Sequence, residues 1–149
     1  MSGILIRPML ESDLDQVMAN ENAAYEFPWT RGIFESNLKR HYAIVAADSR
    51  TQQLLGHALL SRVLDEAHVL NIAVAPKGQR RGIGRAMLED ILEHAREHDC
   101  LEAFLEVRES NRPAFTLYHS FGFNEIGVRK NYYPAKGGKE DAILLACAL

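Results

Sequence analysis

The sequence predicts a mixed α/β (α+β) fold, a mixed sheet with helices on both of its faces. Two observations carry that expectation. The spacing of apolar residues switches between the period of two that suits strands and the 3.6 that suits helices, in the order βααβββαβαββ. The second observation is "APKGQRRGIGRAML", residues 75–88, where a glycine-rich, arginine-rich turn separates a strand pattern from a strongly amphipathic helix pattern. At 149 residues the chain is one domain long, residues 1–149, and large enough to bury a core without staples.

Each element has its own signal. "ILIRPM" reads as a first strand stopped near Pro8, and "ESDLDQVMANENAAY" as a helix with Ser12 as its N-cap and Leu14, Val17 and Met18 on one face. "FPWT" breaks that helix, and Thr30 is placed to cap a short second one carrying Ile33, Phe34 and Leu38. "HYAIVAAD" and "QLLGHALLSRVL" read as neighbouring antiparallel strands joined by the polar turn "SRTQ", and "AHVLNIAV" as a further strand ended by Pro76. From Ile83 to about His98, Ile83, Ala86, Met87, Ile91, Leu92 and Ala95 recur at helical spacing, with Glu89, Glu93, Arg96 and Glu97 opposite. In "LEAFLEV" the residues Leu101, Ala103, Leu105 and Val107 alternate on one side of a strand. Asn111 or Ser110 caps the next helix, which has Pro113 in its first turn and Gly122 just past its end. "FNEIGVRKNYY" and "DAILLACAL" close the chain as strands around the "PAKGGKE" turn.

Composition narrows the function. A formal charge of −3 argues against a general nucleic-acid binder, so the arginines around the glycines are a local patch. Two cysteines, Cys100 and Cys147, lack CxxC spacing and fit free thiols in a reducing cytoplasm. No apolar run approaches the length of a membrane span, and "MSGILIRPML" lacks the pattern of a signal peptide, so no membrane is expected as a partner. His94 and His98 stand four apart on a helix; with no third ligand in the pattern they read as surface histidines, and no metal is expected.

Glycines that open a helix offer backbone N–H groups to an anion. A Rossmann loop would start directly after the strand, whereas here seven residues separate Val74 from Gly82 and Met87 occupies the third glycine position. A P-loop would need Gly-Lys-Ser/Thr. There remains a loop whose N–H groups, from about Arg81 to Arg85, wrap a pyrophosphate, with Arg80, Arg81, Arg85 or Lys77 meeting further phosphate charge.

"QRRGIGRAML" resembles the Q/R-x-x-G-x-G/A motif of the GCN5-related N-acetyltransferase (GNAT) superfamily. "NIAVAPKGQRRGIG", "LEVRESNRPAFTLYHSFGF" and "VRKNYYP" fall in that family's order and spacing over nearly the whole chain. The resemblance implies a single-domain GNAT fold with a mostly antiparallel sheet, and acetyl-CoA as cosubstrate. It implies cofactor binding by Gln79, Arg80, Arg81, Gly82, Ile83, Gly84 and Arg85 at the pyrophosphate. It also implies main-chain binding of the pantetheine arm by Ile72, Ala73 and Val74, with Asn111 contacting the same arm. One N–H of that strand would polarise the thioester carbonyl. "YEFPWT", "LDEAHVLNIAV", "LEVRESN" and "RKNYYP" are similar to the branch that acetylates ribosomal-protein N-terminal alanines. That similarity implies a protein N-terminus as partner, the alanine of small-subunit ribosomal protein eighteen, and direct transfer in a ternary complex. Other protein N-termini, lysines or small amines remain open as acceptors, as does a non-catalytic acyl-CoA-binding module.

The chemistry needs a neutral amine and a proton for the leaving thiolate. An α-amino group titrates near about 8, so modest help suffices. Glu106, near the end of "LEAFLEV" on the face opposite the apolar positions, is the candidate base, and the glutamate of "LEVR" has that role in the resembled branch. Tyr118 has core-aromatic spacing; the resemblance makes it the proton donor to the thiolate. Phe27, Pro28 and Trp29, with Tyr132, Tyr133 and Pro134, are either core or the border of a peptide groove in that family, and Asp65 and Glu66 either face a basic peptide or form a polar turn.

Overall fold

The structure, a computed structural model, describes residues 3–149. Among them seven strands form a sheet in the order β1-β2-β3-β4-β5-β7-β6. The chain runs β1 (Ile4–Pro8), α1 (Leu14–Ala24), α2 (Arg31–Arg40), β2 (Tyr42–Asp48), β3 (Leu54–Val63), β4 (Glu66–Val74), α3 (Ile83–Glu97), β5 (Glu102–Arg108), α4 (Arg112–Ser120), β6 (Asn124–Ala135) and β7 (Gly138–Ala148). The expected order of elements holds. β1–β2, β2–β3, β5–β7 and β6–β7 are antiparallel, and β4 meets β5 in parallel, so the sheet is mixed and mostly antiparallel. Contacts gather the chain into two compact units, one holding the N-terminal part to Ser61 with Leu70–His94, the other Arg62–Val69 with Ala95–Leu149.

In the first unit, β2 is buried on both faces. Ala43, Val45 and Ala47 join Leu54 and Leu59 of β3 in a cluster with Leu14, Val17 and Phe34 of α1 and α2. Ile44 and Ala46, pointing the other way, are equally buried. Gly56 stands opposite Ala46, and a Cβ built on it would come within 3.1 Å of Ile83 and 2.9 Å of Met87 in α3. Helices therefore cover both faces here, α1 and α2 on one and α3 on the other. A side chain at Gly56 would also meet the Ala73 carbonyl oxygen at 2.8 Å, so the close approach of β4 requires the glycine.

Local signals placed the caps with one exception. The Thr30 hydroxyl accepts the Ile33 N–H at 3.3 Å as expected. Ser12 does not cap α1; it lies inside a 3-10 turn, Glu11–Asp13. The neighbouring Asp13 carboxylate is taken instead by Arg7, at 2.8 and 2.9 Å, and by the Leu10 N–H at 2.7 Å.

In the second unit, β7 pairs with β5 from Glu102↔Ala148 to Arg108↔Ala142 and with β6 on its other edge. Leu101, expected in the buried row of β5, precedes the strand and is exposed. The Asn111 side chain accepts the Ala114 N–H at 3.3 Å, which caps α4. In β6, four steps from Arg129 to Tyr133 face two steps of β7, from Ala142 to Glu140, so two extra residues bulge out. Asp141 pins that bulge by accepting the Asn131 N–H at 2.9 Å and Lys130 at 3.3 Å, and these bonds hold its carboxyl below the usual range.

Candidate active site

The glycine loop is built as a phosphate cradle would be. β4 ends at Val74, a 3-10 turn spans Pro76–Gly78, and residues 79–82 turn into the start of α3. Arg80 and Gly82 have positive φ, +65° and +75°, the left-handed backbone conformation that anion nests employ. A Cβ at Gly82 would meet nothing within 4 Å, so open space lies over the backbone at the helix start. The first N–H groups of α3, at Ile83, Gly84 and Arg85, have no acceptor within the helix and carry its positive dipole end. Gln79, Arg80 and Arg85 are exposed around them. Arg81 is anchored, its guanidinium 3.4 Å from Asp48. The Arg50 and Thr51 N–H groups and then Arg81 hold the Asp48 carboxyl below its usual range. This donor set suits a pyrophosphate.

Ile72, Ala73 and Val74 form the end of β4 beside this loop in the chain, with Ala73 buried and its neighbours half-buried. The strand is held from behind by a polar cluster that sequence reasoning missed. The Glu21 carboxylate, fully buried in α1, accepts from His57 Nε2 at 2.9 Å, from the Trp29 N–H at 3.0 Å and from Asn71 Nδ2 at 3.2 and 3.3 Å. One residue on, the Tyr25 hydroxyl donates to the Ile72 carbonyl. His57 Nδ1 and Asn71 Oδ1 are buried with no hydrogen-bond partner among the described residues. A signal existed: Glu21 falls at i+4 from Val17, on the apolar stripe of α1, and His57 interrupts the apolar run of β3.

Glu106 sits on β5 opposite Leu144, with its side chain about one-third exposed at 33%. Its Oε2 lies 2.9 Å from Arg129 Nε of β6. Next to it, Tyr133 is pushed up to about 12, first by burial and then by the Glu106 charge, so its hydroxyl stays protonated. The Arg108 guanidinium lies 4.5 Å over the Tyr133 ring and donates to Glu140 at 2.9 Å and to the Pro134 carbonyl at 2.8 Å. The Arg108 bond holds the Glu140 carboxyl below its usual range. Tyr118 is buried in α4, edge-on to Phe123 at 5.8 Å, and Asn111 caps the same helix.

The groups expected at the border of a peptide groove divide. Trp29 packs on Phe34 at 5.2 Å within the first core, whereas Phe27 and Tyr132 are exposed. Glu66 bonds His68 at 3.3 Å, and the Asp65 carbonyl takes the Leu101 N–H at 2.7 Å. Of the two histidines read as surface residues, His98 is exposed, whereas His94 is half-buried with its ring stacked on Tyr42 at 3.6 Å. Among the described residues no group of three or more histidine, cysteine or carboxylate side chains is placed to hold a metal, and no helix is long and apolar enough to cross a membrane.

In chain order the glycine loop follows β4, Glu106 stands on β5 and Tyr118 is buried in α4. The chain belongs to the acetyltransferase (GNAT) family, whose model matches residues 13–123. It is similar to the [ribosomal protein bS18]-alanine N-acetyltransferase of Escherichia coli (strain K12), with 41% identity over 135 residues, 91% of this chain and 90% of that one. A crystal structure of the ribosomal-protein-S18-alanine N-acetyltransferase from Escherichia coli superposes with a TM-score of 0.91 at 38% identity, covering 98% of this chain and 94% of the other. The fold also matches that in a crystal structure of the NatC complex bound to Gag peptide and CoA, at a TM-score of 0.84, 19% identity and 98% coverage of both chains. The chain is therefore an N-acetyltransferase of the GNAT fold.

Proposed function

We propose that the protein transfers an acetyl group from acetyl-CoA to the N-terminal alanine of ribosomal protein bS18, directly, in a ternary complex. The observation that carries this reading is the 41% identity to the Escherichia coli enzyme, sustained over nine-tenths of both chains. When bound, acetyl-CoA supplies the activated acetyl thioester. The N–H groups of Gly82 to Arg85 bind its pyrophosphate, with Gln79, Arg80 and Arg85 around them and Arg81 shared with Asp48. Main-chain groups of Ile72, Ala73 and Val74 align the pantetheine arm, assisted by Asn111, and one strand N–H polarises the carbonyl. Because Tyr25 already uses the Ile72 carbonyl, Ile72 contributes through its N–H or the remaining lone pair.

Glu106 removes the proton of the attacking amine, and Tyr118 gives a proton to the departing thiolate. A tyrosine at about 10 and a thiol at about 8.5 differ by roughly 2 kcal/mol, a gap that hydrogen bonding can bridge. The free, buried Cys100 and Cys147 fit a cytoplasmic location. The test is mass spectrometry of acetyl transfer to a panel of N-terminal peptides, lysine peptides and polyamines. Preferred transfer to the bS18 N-terminus is expected. Transfer to polyamines with none to peptides would move the acceptor class to small amines, and no transfer at all would leave an acyl-CoA-binding module.

A further inference from the structure

We propose that Arg129 guards the Glu106 carboxylate, and that the acceptor's ammonium must displace its guanidinium to reach the base. The proposal rests on the reading of Glu106 as the base. Two arginine–glutamate pairs lie in this neighbourhood, and they are built differently. Arg108 and Glu140 are 22% and 21% exposed, and both are held by others: Arg108 by the Pro134 carbonyl and the Tyr133 ring, Glu140 by the Ser110 N–H and hydroxyl at 3.2 Å. That pair is locked. Arg129 meets Glu106 through Nε at 2.9 Å, with the more open exposures of 56% and 33%.

The backbone of Arg129 is fixed opposite Ala142, immediately before the bulge, so only its side chain needs to move. When it swings away, its cation has a second resting place against the Tyr132 ring, already 5.5 Å from the guanidinium carbon. An incoming ammonium brings three donors and the same charge, so one cation replaces another on the carboxylate. Arg129 therefore sets the acceptor affinity of the site: it holds Glu106 in place while no acceptor is bound, and competes with every cationic amine.

The experiment compares Arg129→Gln, Arg129→Lys and Glu106→Gln in steady-state transfer to an N-terminal peptide and to the same peptide bearing an aminooxy group, which is neutral at the assay pH. R129Q is expected to lower the acceptor KM about two- to fivefold at low salt, the range of exposed ion pairs, with the acetyl-CoA KM unchanged. The effect should fade near about 1 M salt, where such pairs are screened, and should be absent for the aminooxy acceptor. R129K should remain close to wild type. An R129Q acceptor KM that is unchanged or raised overturns the guard. Glu106→Gln separates the two readings: a slow E106Q with an unmoved R129Q KM defeats the guard alone, whereas full turnover in E106Q defeats the base and the guard together.

Discussion

Replacing Glu21 by alanine should cost more stability than any change at the proposed catalytic groups. The substitution removes the one carboxylate that satisfies His57 Nε2, Asn71 Nδ2 and the Trp29 N–H, bonds of 2.9 to 3.3 Å around a fully buried side chain. Each donor stranded away from water costs about 1–3 kcal/mol. Trp29 N is only partly buried and the three share one acceptor, so the sum is smaller than three separate losses. The two buried donors, His57 Nε2 and Asn71 Nδ2, with a reduced share for Trp29, bring the loss to about 3–5 kcal/mol. Against a total stability of about 5–15 kcal/mol, Glu21→Ala should leave a marginal protein, while Glu21→Gln, which keeps one acceptor oxygen, should fall between. With a urea slope of about 2 kcal/mol per molar, the Glu21→Ala midpoint should drop by about 1.5–2.5 M at neutral pH. A drop of less than about 0.5 M, with the slope unchanged, would refute the account of the cluster.

Three further outcomes follow from other parts of the molecule. Gly82→Asp should weaken acetyl-CoA binding tenfold or more by calorimetry, because φ is +75° there and a carboxylate would enter the open space over the anion cradle. Aspartate is also a good helix N-cap, which offsets the backbone strain; unchanged affinity in a folded variant would count against the phosphate reading. Tyr118→Phe should slow turnover at least tenfold while moving stability by about 1 kcal/mol or less; an unaltered rate would return Tyr118 to packing. Asp13 has its carboxyl lowered, first by the Arg7 hydrogen bonds, so its contribution is full above the unfolded value of about 3.9 and disappears as pH falls through the folded one. Asp13→Asn should thus be less stable than wild type at pH 7, with the gap closing below about pH 4; a constant gap between pH 7 and pH 2 would contradict this.

What the sequence disclosed was what depends on neighbours in the chain. The Thr30 and Asn111 caps, the stripe of α3 and the glycine loop are all decided within about four residues, and the structure places them as read. Ser12 failed because a 3-10 turn precedes α1, and only the distant Arg7 reveals why Asp13 is the residue engaged there. The same limit applies to His94, whose solvent-facing pattern on α3 says nothing of the Tyr42 ring from β2 that covers it. The Glu106–Arg129 pair reaches across β7, and its register depends on two bulges in β6 that no periodicity marks. Main-chain roles, as proposed for Ile72 to Val74, leave hardly any trace in side-chain identity.

The empty position at Gly56 has a mechanical consequence. Ile83 and Met87 of α3 press into the space that its Cβ would fill, and the Ala73 carbonyl rests against the same spot. The helix whose first turn is proposed to bind phosphate therefore meets β4, at Ala73, over the same glycine of β3. Helix and strand together act as a gauge of set length between the N–H groups at Gly82–Arg85 and the amides at residues 72–74. On the proposed cofactor reading, trimming Met87 or filling Gly56 would change the spacing between those two sets of amides without altering either of them.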